Sequence, residues 1–181
     1  VFALPLIAAS LGLIVNERAG LLNLGAEGIM LCGALVGVVA FLEFDGNAAL
    51  GFILAILSGT FLGFCFGFFV VVLRTNQVLT SITFVFLGAG LTGLIGIPWV
   101  NKAFSALNPI HIPWLTDIPV IGRFFFGQDY IVYITIGLVI LVWRFLYHTR
   151  TGLRLRAVGE NPQAADAAGI NVEGYRLLAA T

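Results

Sequence analysis

The sequence is short of charge. Only 10% of its 181 residues are Asp, Glu, Lys or Arg, whereas soluble domains usually carry about a quarter. Apolar residues make up 60% of the chain, and the mean hydropathy is +1.05. The formal net charge is zero, which gives no basis for a nucleic-acid partner. These values predict a protein embedded in membrane lipid.

The residue types that build catalytic and metal sites are also scarce. Cys32 and Cys65 lie in apolar runs without a disulfide or metal-ligand spacing, so we interpret them as small buried hydrophobes. His111 lies beside Pro113 and His148 lies at a predicted membrane edge, neither with neighbours that complete a triad. No glycine-rich phosphate loop with a lysine is present. We therefore predict a protein that is not an enzyme and has no cofactor of its own.

Both ends of the chain are apolar. Val1 opens a hydrophobic run without a basic region before it, which is unlike a signal peptide. A new apolar run, Tyr175 to Ala180, begins just before the last residue. We expect a fragment of a longer polytopic protein, with a single transmembrane domain over 1–181.

Long apolar runs predict membrane-spanning helices, since about 20 apolar residues in a helix cross the hydrocarbon core. Isolated strands cannot satisfy their backbone groups in lipid, so the predicted fold class is all-α integral membrane, a polytopic helical bundle. About five spans are expected, and the start of a sixth. The spans are Val1 to Val15, Leu24 to Phe44, Ala48 to Leu73, Ser81 to Ile97 and Tyr130 to Tyr147.

Charge placement predicts the orientation of the spans. Three arginines, Arg150, Arg154 and Arg156, lie in the segment 148–174, which the positive-inside rule assigns to the cytoplasm. Counting back through the spans makes 98–129 an extracytoplasmic loop. The polar stretch from Asn16 to Gly28 then lies on the cytoplasmic side or enters the membrane from it.

That polar stretch is predicted to be a broken helix that lines a path for a polar solute. A charge at the centre of a membrane helix costs about 2–3 kcal/mol or more, so Asn23 and Glu27 should face water, each other or Arg18. Gly25 and Gly28 would let the helix break and free backbone groups for the solute. The alternative for Glu27 is a hydrogen bond to Asn23 within one helix.

A second polar set lies at the cytoplasmic end of a later span. Its amides and hydroxyls suit a neutral, hydrogen-bonding cargo better than an ion. The alternative is that Asn76 or Gln77 only caps the following helix. The set consists of Asn76, Gln77, Thr80 and Thr83.

The segment 148–174 contains a short predicted helix. Asn161 can cap it, Pro162 suits its first position and Gly169 can end it. A helix of about two turns is not stable alone in water and therefore needs a partner surface. The face made of Ala164, Ala165 and Ala168 is small and smooth enough to dock in a groove of another protein.

Two strings carry a resemblance to a known family. G-E-N-P-x-A-A-x-x-A-G-I begins at Gly159, and N-L-G-x-E-G-x-M-L-x-G-A begins at Asn23. The first resembles the coupling helix of ABC importer permeases of the branched-chain amino acid, simple sugar and nucleoside group. The second is similar to permeases that work with nucleoside-binding lipoproteins of the basic-membrane-protein type. TNQVLTSITFVFLGAGLTGLIG, from Thr75, also resembles one of the two permeases of such importers.

The resemblance implies a permease subunit of an ABC importer, working by alternating access in a bacterial inner membrane. Its implied partners are ATPase subunits that bind ATP and Mg, a second and different permease subunit, and a periplasmic or lipid-anchored substrate-binding protein. The implied cargo is a nucleoside. The residues implied to couple to the ATPase are Gly159, Glu160, Asn161, Pro162, Ala164, Ala165, Ala168 and Gly169.

Two alternatives remain open. The same machine could carry a simple sugar or a branched-chain amino acid. A different class, an ion-coupled secondary transporter, would use Glu27 to relay protons.

Overall fold

The computed structural model describes residues 4–44, 46–100 and 130–181, and these residues are helical with short connections. Residues 101–129 of the predicted extracytoplasmic loop, 98–129, lie outside the described residues. A 3-10 turn, Ile97–Trp99, includes the first residues of that predicted loop. The α-helices are α1 (Leu4–Arg18), α2 (Ala26–Glu43), α3 (Ala48–Gly67), α4 (Gln77–Ile95), α5 (Tyr130–His148), α6 (Arg150–Glu160), α7 (Pro162–Ala167) and α8 (Val172–Ala180).

Four of the described helical segments are long and apolar enough to cross a membrane. They are Ala26–Glu43, Ala48–Val72, Gln77–Ile95 and Ile131–His148, close to four of the predicted spans. The third helix reaches Val72 through a π-helical stretch, Phe68–Val72. No strand occurs among the described residues. The prediction of an all-α membrane protein is therefore confirmed.

Side-chain caps explain where several helices begin. Asn47 accepts hydrogen bonds from the amides of Ala49 and Leu50 and starts α3. Thr149 accepts from Gly152 N and starts α6, and Asn171 starts α8 by the same kind of bond. An Asn or Thr oxygen at these positions satisfies amides that have no partner inside the helix. These boundaries follow from local sequence alone.

A first hydrophobic cluster joins α2, α3, α4 and the end of α8. Phe66 is fully buried, and its ring meets Phe84 edge to face at 5.8 Å between centroids. Glycines let the backbones approach: Gly51 lies against the carbonyl oxygen of Gly37, and Gly63 against that of Ala180. The cluster contains Leu21, Phe66, Val70, Val71, Phe84 and Ala180.

A second hydrophobic cluster joins α1, α5, α6 and α8. Its buried members are Ala19, Leu146, Leu155 and Ala179. Gly152 of α6 packs against the backbone of Phe145 and Leu146, which a larger residue would not permit. Since Ala179 belongs to this cluster and Ala180 to the first, α8 links the two halves of the described bundle.

The arginines of the described residues gather at one end of the bundle. In the turn between α3 and α4, Arg74 adopts the left-handed region (φ 53°) and its Nη2 lies 3.4 Å from Glu173 of α8. The Arg176 Nε donates to the carbonyl of Ala19, just after α1, at 3.4 Å. This end therefore holds the close of α1, the start of α2 and all of 148–174, in agreement with the predicted alternation.

Candidate functional site

The helix is broken between Arg18, which ends α1, and Ala26, which begins α2. We call residues 19–25 the break. Gly20 takes a positive φ of 78°, which favours glycine, and Leu21 N donates back to Asn16 O at 3.0 Å. Ala19 and Leu21 are buried, one in each hydrophobic cluster. The break therefore connects the two halves of the bundle.

Three side chains hold the backbone of the break. Gln77 Oε1 accepts from Leu22 N at 2.7 Å, and Ser81 Oγ accepts from Leu24 N at 3.1 Å. Ser81 also donates to Leu22 O at 3.5 Å. Within the break, Asn23 Oδ1 accepts from Gly25 N at 3.0 Å. The amides of residues 22, 24 and 25 thus already have partners.

Ser81 is a contact to the break that the sequence interpretation missed. Its side chain is 0% exposed, and α4 places it against the break. A signal was present, because Ser81 follows Gln77 by four residues and therefore shares its helical face. Of the predicted second polar set, Gln77 is the member that reaches the break.

The other members of that set bond locally. Asn76 accepts from Val78 N and Leu79 N, so it caps α4, as the alternative interpretation states. Thr80 Oγ1 donates to Asn76 O, and Thr83 Oγ1 donates to Leu79 O, each at 2.9 Å. The structure thus separates Gln77 from the rest of the set.

Asn23 and Glu27 do not meet. Asn23 is only 7% exposed and bonds to Gly25 N, while Glu27 is exposed in the first turn of α2. No hydrogen-bond or ion-pair partner of Glu27 occurs among residues 4–44, 46–100 and 130–181. The alternative of a Glu27–Asn23 hydrogen bond is therefore wrong.

Gly28 does not break the helix, contrary to prediction. It lies inside α2, where a Cβ atom would collide with the carbonyl of Phe84, and Gly88 makes the reciprocal approach. Gly25 is similar, since its Cβ would lie 3.0 Å from Ser81 O. At both positions the absence of a side chain lets the backbone approach that of α4, as the close crossing of α2 and α4 requires.

The segment 148–174 has the predicted local structure. Asn161 Oδ1 accepts from Ala164 N at 3.0 Å, Pro162 occupies the first turn and Gly169 has a φ of 76°. These features fix α7 over six residues, Pro162–Ala167. The predicted helix start and stop are confirmed.

The predicted docking face of α7 needs correction. Ala165 is 4% exposed and packs inward, while Ala164 and Ala168 are exposed. Residues at i and i+1 on a helix do not share a face. A surface for a partner can therefore include Ala164 and Ala168, but not Ala165.

Gly159 connects this segment to the break. A Cβ atom on Gly159 would collide with the carbonyl of Arg18 and lie 3.0 Å from Gly20 N. Its neighbour Glu160 is exposed. Gly159, near the end of α6, thus packs against the end of α1. This contact places α6 and α7 against the break.

An open groove of about 720 Å³ lies beside these contacts. It is lined by Leu21 of the break, Gln77 of α4, and Pro162 and Asp166 of α7. Arg74 and Arg176 line it with Glu173, so both signs of charge are present. Among the residues that the structure describes, no group of three or more His, Cys, Asp or Glu could hold a metal ion.

The family model described as the permease component of branched-chain amino acid transport systems matches residues 1–181. A Haloferax volcanii protein named provisionally as a glucose ABC transporter permease is 39% identical over 98% of this chain and 55% of its own length. A nucleoside ABC transporter permease of Lactococcus lactis is 37% identical over 97% of this chain and 59% of its own. A guanosine ABC transporter permease of Bacillus subtilis is 35% identical over 98% and 59%.

The chain spans less than two thirds of the length of these relatives. No solved structure matches it. The match to the family model covers every residue, and the two strings noted in the sequence lie within it. The chain therefore belongs to the permease family of branched-chain amino acid transport systems.

Proposed function

We propose that this chain is the transmembrane part of a permease subunit in an ABC importer for nucleosides. The observation that carries the proposal is the contact between Gly159 and the end of α1, which joins the string that begins at Gly159 to the break. In this proposal the subunit carries out no covalent chemistry. Separate ATPase subunits bind ATP and Mg and supply the energy.

Coupling starts at α7 in this proposal. The ATPase contacts Glu160 and the exposed positions Ala164 and Ala168. A push on α7 moves α6, and Gly159 transfers the displacement to Arg18 and the break. The two hydrophobic clusters then move relative to each other, since the break connects them, and the path opens to alternate sides.

The solute path runs past the break. Asn23 and Glu27 form one side of it and Gln77 the other, with Asn76, Thr80 and Thr83 near its entrance. Glu27 is exposed at the first turn of α2, where its carboxylate can accept hydrogen bonds from a neutral solute. Because Gln77 and Ser81 already occupy the break amides, side chains and not free backbone groups make the cargo contacts.

Nucleosides are proposed because two relatives at 35–37% identity carry nucleoside and guanosine names. The second candidate, a simple sugar, is favoured by the glucose name of the relative at 39% identity. Binding of nucleosides, ribose, glucose and leucine to the cognate substrate-binding protein separates them. Tight binding of a nucleoside alone supports the first candidate, and tight binding of a sugar alone the second.

The proposed setting is the cytoplasmic membrane of a bacterium. There the subunit pairs with a second, different permease subunit and receives cargo from a periplasmic or lipid-anchored binding protein. Uptake in vesicles tests the class of transporter. We expect uptake to need ATP and to persist when an ionophore collapses the proton gradient. Uptake driven by the gradient without ATP would establish the ion-coupled alternative instead.

A further inference from the structure

We propose that Arg18, Arg144, Tyr147 and Arg156 form a binding site for the headgroup of an anionic phospholipid. We call these four residues the lipid site. They belong to three helices, α1, α5 and α6, at the arginine-rich end of the bundle. The inference concerns this surface alone and does not depend on the cargo or on ATP coupling.

Two guanidinium groups converge on one aromatic ring. The Cζ of Arg156 lies 4.8 Å from the centroid of the Tyr147 ring, and that of Arg18 lies 5.9 Å from it. Each contact is within the range of a cation–π interaction. Bringing two like charges to one ring costs Coulomb energy, which a bound anion would offset.

The described residues supply no such anion. The ion pair among them joins Arg74 to Glu173, away from the ring, and no carboxylate lies within 4 Å of Arg18, Arg144 or Arg156. In addition, Arg156 Nε is buried without a hydrogen-bond partner in the described part of the chain. Buried donors are usually satisfied, so this guanidinium has unused binding capacity.

The adjoining surface favours a lipid over a soluble anion. On α5, Arg144 is exposed one turn before Tyr147, and Ile140 and Leu141 on the same side are 59% and 62% exposed. Trp143 is also exposed and meets His148 at 4.6 Å between ring centroids. Basic and aromatic groups at the end of a helix suit a phosphate headgroup, and the exposed apolar residues of that helix suit the acyl chains.

Lipid retention tests the site. The purified protein is placed in nanodiscs of equal phosphatidylcholine and phosphatidylglycerol and re-extracted, and the lipids that stay bound are measured by mass spectrometry. We expect enrichment of phosphatidylglycerol. The Arg18→Gln/Arg156→Gln variant should reduce that enrichment about fivefold for each guanidinium removed. The control, Arg74→Gln/Arg154→Gln, removes the same charge at the same end and should retain it.

The aromatic ring gives a second, charge-neutral test. Tyr147→Phe keeps the ring and should keep phosphatidylglycerol bound, whereas Tyr147→Ala should release it. Thermal unfolding of each variant in phosphatidylcholine alone identifies any loss of folding. Equal retention by the Arg18→Gln/Arg156→Gln variant and its control would overturn the proposal. So would an equal thermal shift from inorganic phosphate, since that would mean a site for a soluble anion.

Discussion

The break and α7 are both short interruptions at the same end of the bundle, but different forces hold them. In α7 the stabilising interactions are local: the Asn161 side chain accepts a hydrogen bond from Ala164 N, three residues along the chain, and Gly169 ends the helix. In the break, local bonds from Asn16 and Asn23 are joined by bonds from α4, more than fifty residues away, through Gln77 and Ser81. A locally fixed element can be moved as a unit, whereas an element held by distant contacts changes when its neighbours shift. This difference suits α7 to receive a push and the break to respond to it.

Disrupting the contact between α6 and the end of α1 is expected to have the largest effect on transport and stability. Gly159→Ala places a methyl group against the carbonyl of Arg18. Overpacking of this kind costs about 1–3 kcal/mol, and it separates α6 from the end of α1. We expect loss of ATP-driven uptake together with a lower melting temperature. Vesicle uptake and thermal unfolding measure the two effects.

Gly90→Ala is the matched control, because no atom lies within 4 Å of a Cβ at Gly90. It should transport and melt as the unchanged protein does. Equal behaviour of the two variants would show that the contact between α6 and the break carries no function.

Removing the hydroxyl of Ser81 tests the role of the hydrogen bonds between α4 and the break. Ser81→Ala leaves the partly buried amide of Leu24 without its protein partner, at a cost of about 1 kcal/mol. Faster hydrogen exchange across residues 22–25 and slower uptake are expected. Ser58→Ala is the control, since the Ser58 hydroxyl donates to Ala55 O within its own helix. Unchanged exchange in Ser81→Ala would refute the role assigned to Ser81.

Removing the helix cap of α7 should have a smaller effect on transport and stability. Asn161→Ala removes the cap, at a cost of typically about 1 kcal/mol, while Asn161→Asp keeps an accepting oxygen. We expect the Ala variant to lower the ATPase activity stimulated by the loaded binding protein, with little change in overall melting. If the Asp variant were impaired as much as the Ala variant, capping would not be the cause.

The smallest effect is expected at Glu27. Glu27→Gln keeps an acceptor oxygen at an exposed position but cannot relay a proton. ATP-driven uptake should stay close to that of the unchanged protein from pH 6 to pH 8. Abolished uptake in this variant would favour the ion-coupled alternative.

The sequence predicts those parts of the structure that depend on neighbours in the chain. Apolar runs indicated the four long spans, and the Asn161–Pro162 pair with Gly169 indicated α7. A helix cap involves atoms within a few residues, so its residue types are informative by themselves.

Contacts between distant helices could not be predicted in this way. Nothing in the sequence around Gly28 says that its partner is Phe84, so the glycine was interpreted as a break when it is a crossing point. Ala165 was likewise assigned to a docking face because its inward neighbours were unknown. Ser81 was overlooked because its partners, the backbone groups of Leu22 and Leu24, lie more than fifty residues away in the sequence.

The central claim is that the break responds when ATPase subunits act on α7. The most direct measurement is hydrogen exchange, by mass spectrometry, across residues 19–25 of the assembled transporter, without nucleotide and with ATP trapped. We predict different exchange rates in the two states across the break, and unchanged rates at the α2–α4 crossing around Gly28 and Gly88. Identical exchange across the break in both states, in a complex that still hydrolyses ATP, would contradict the account.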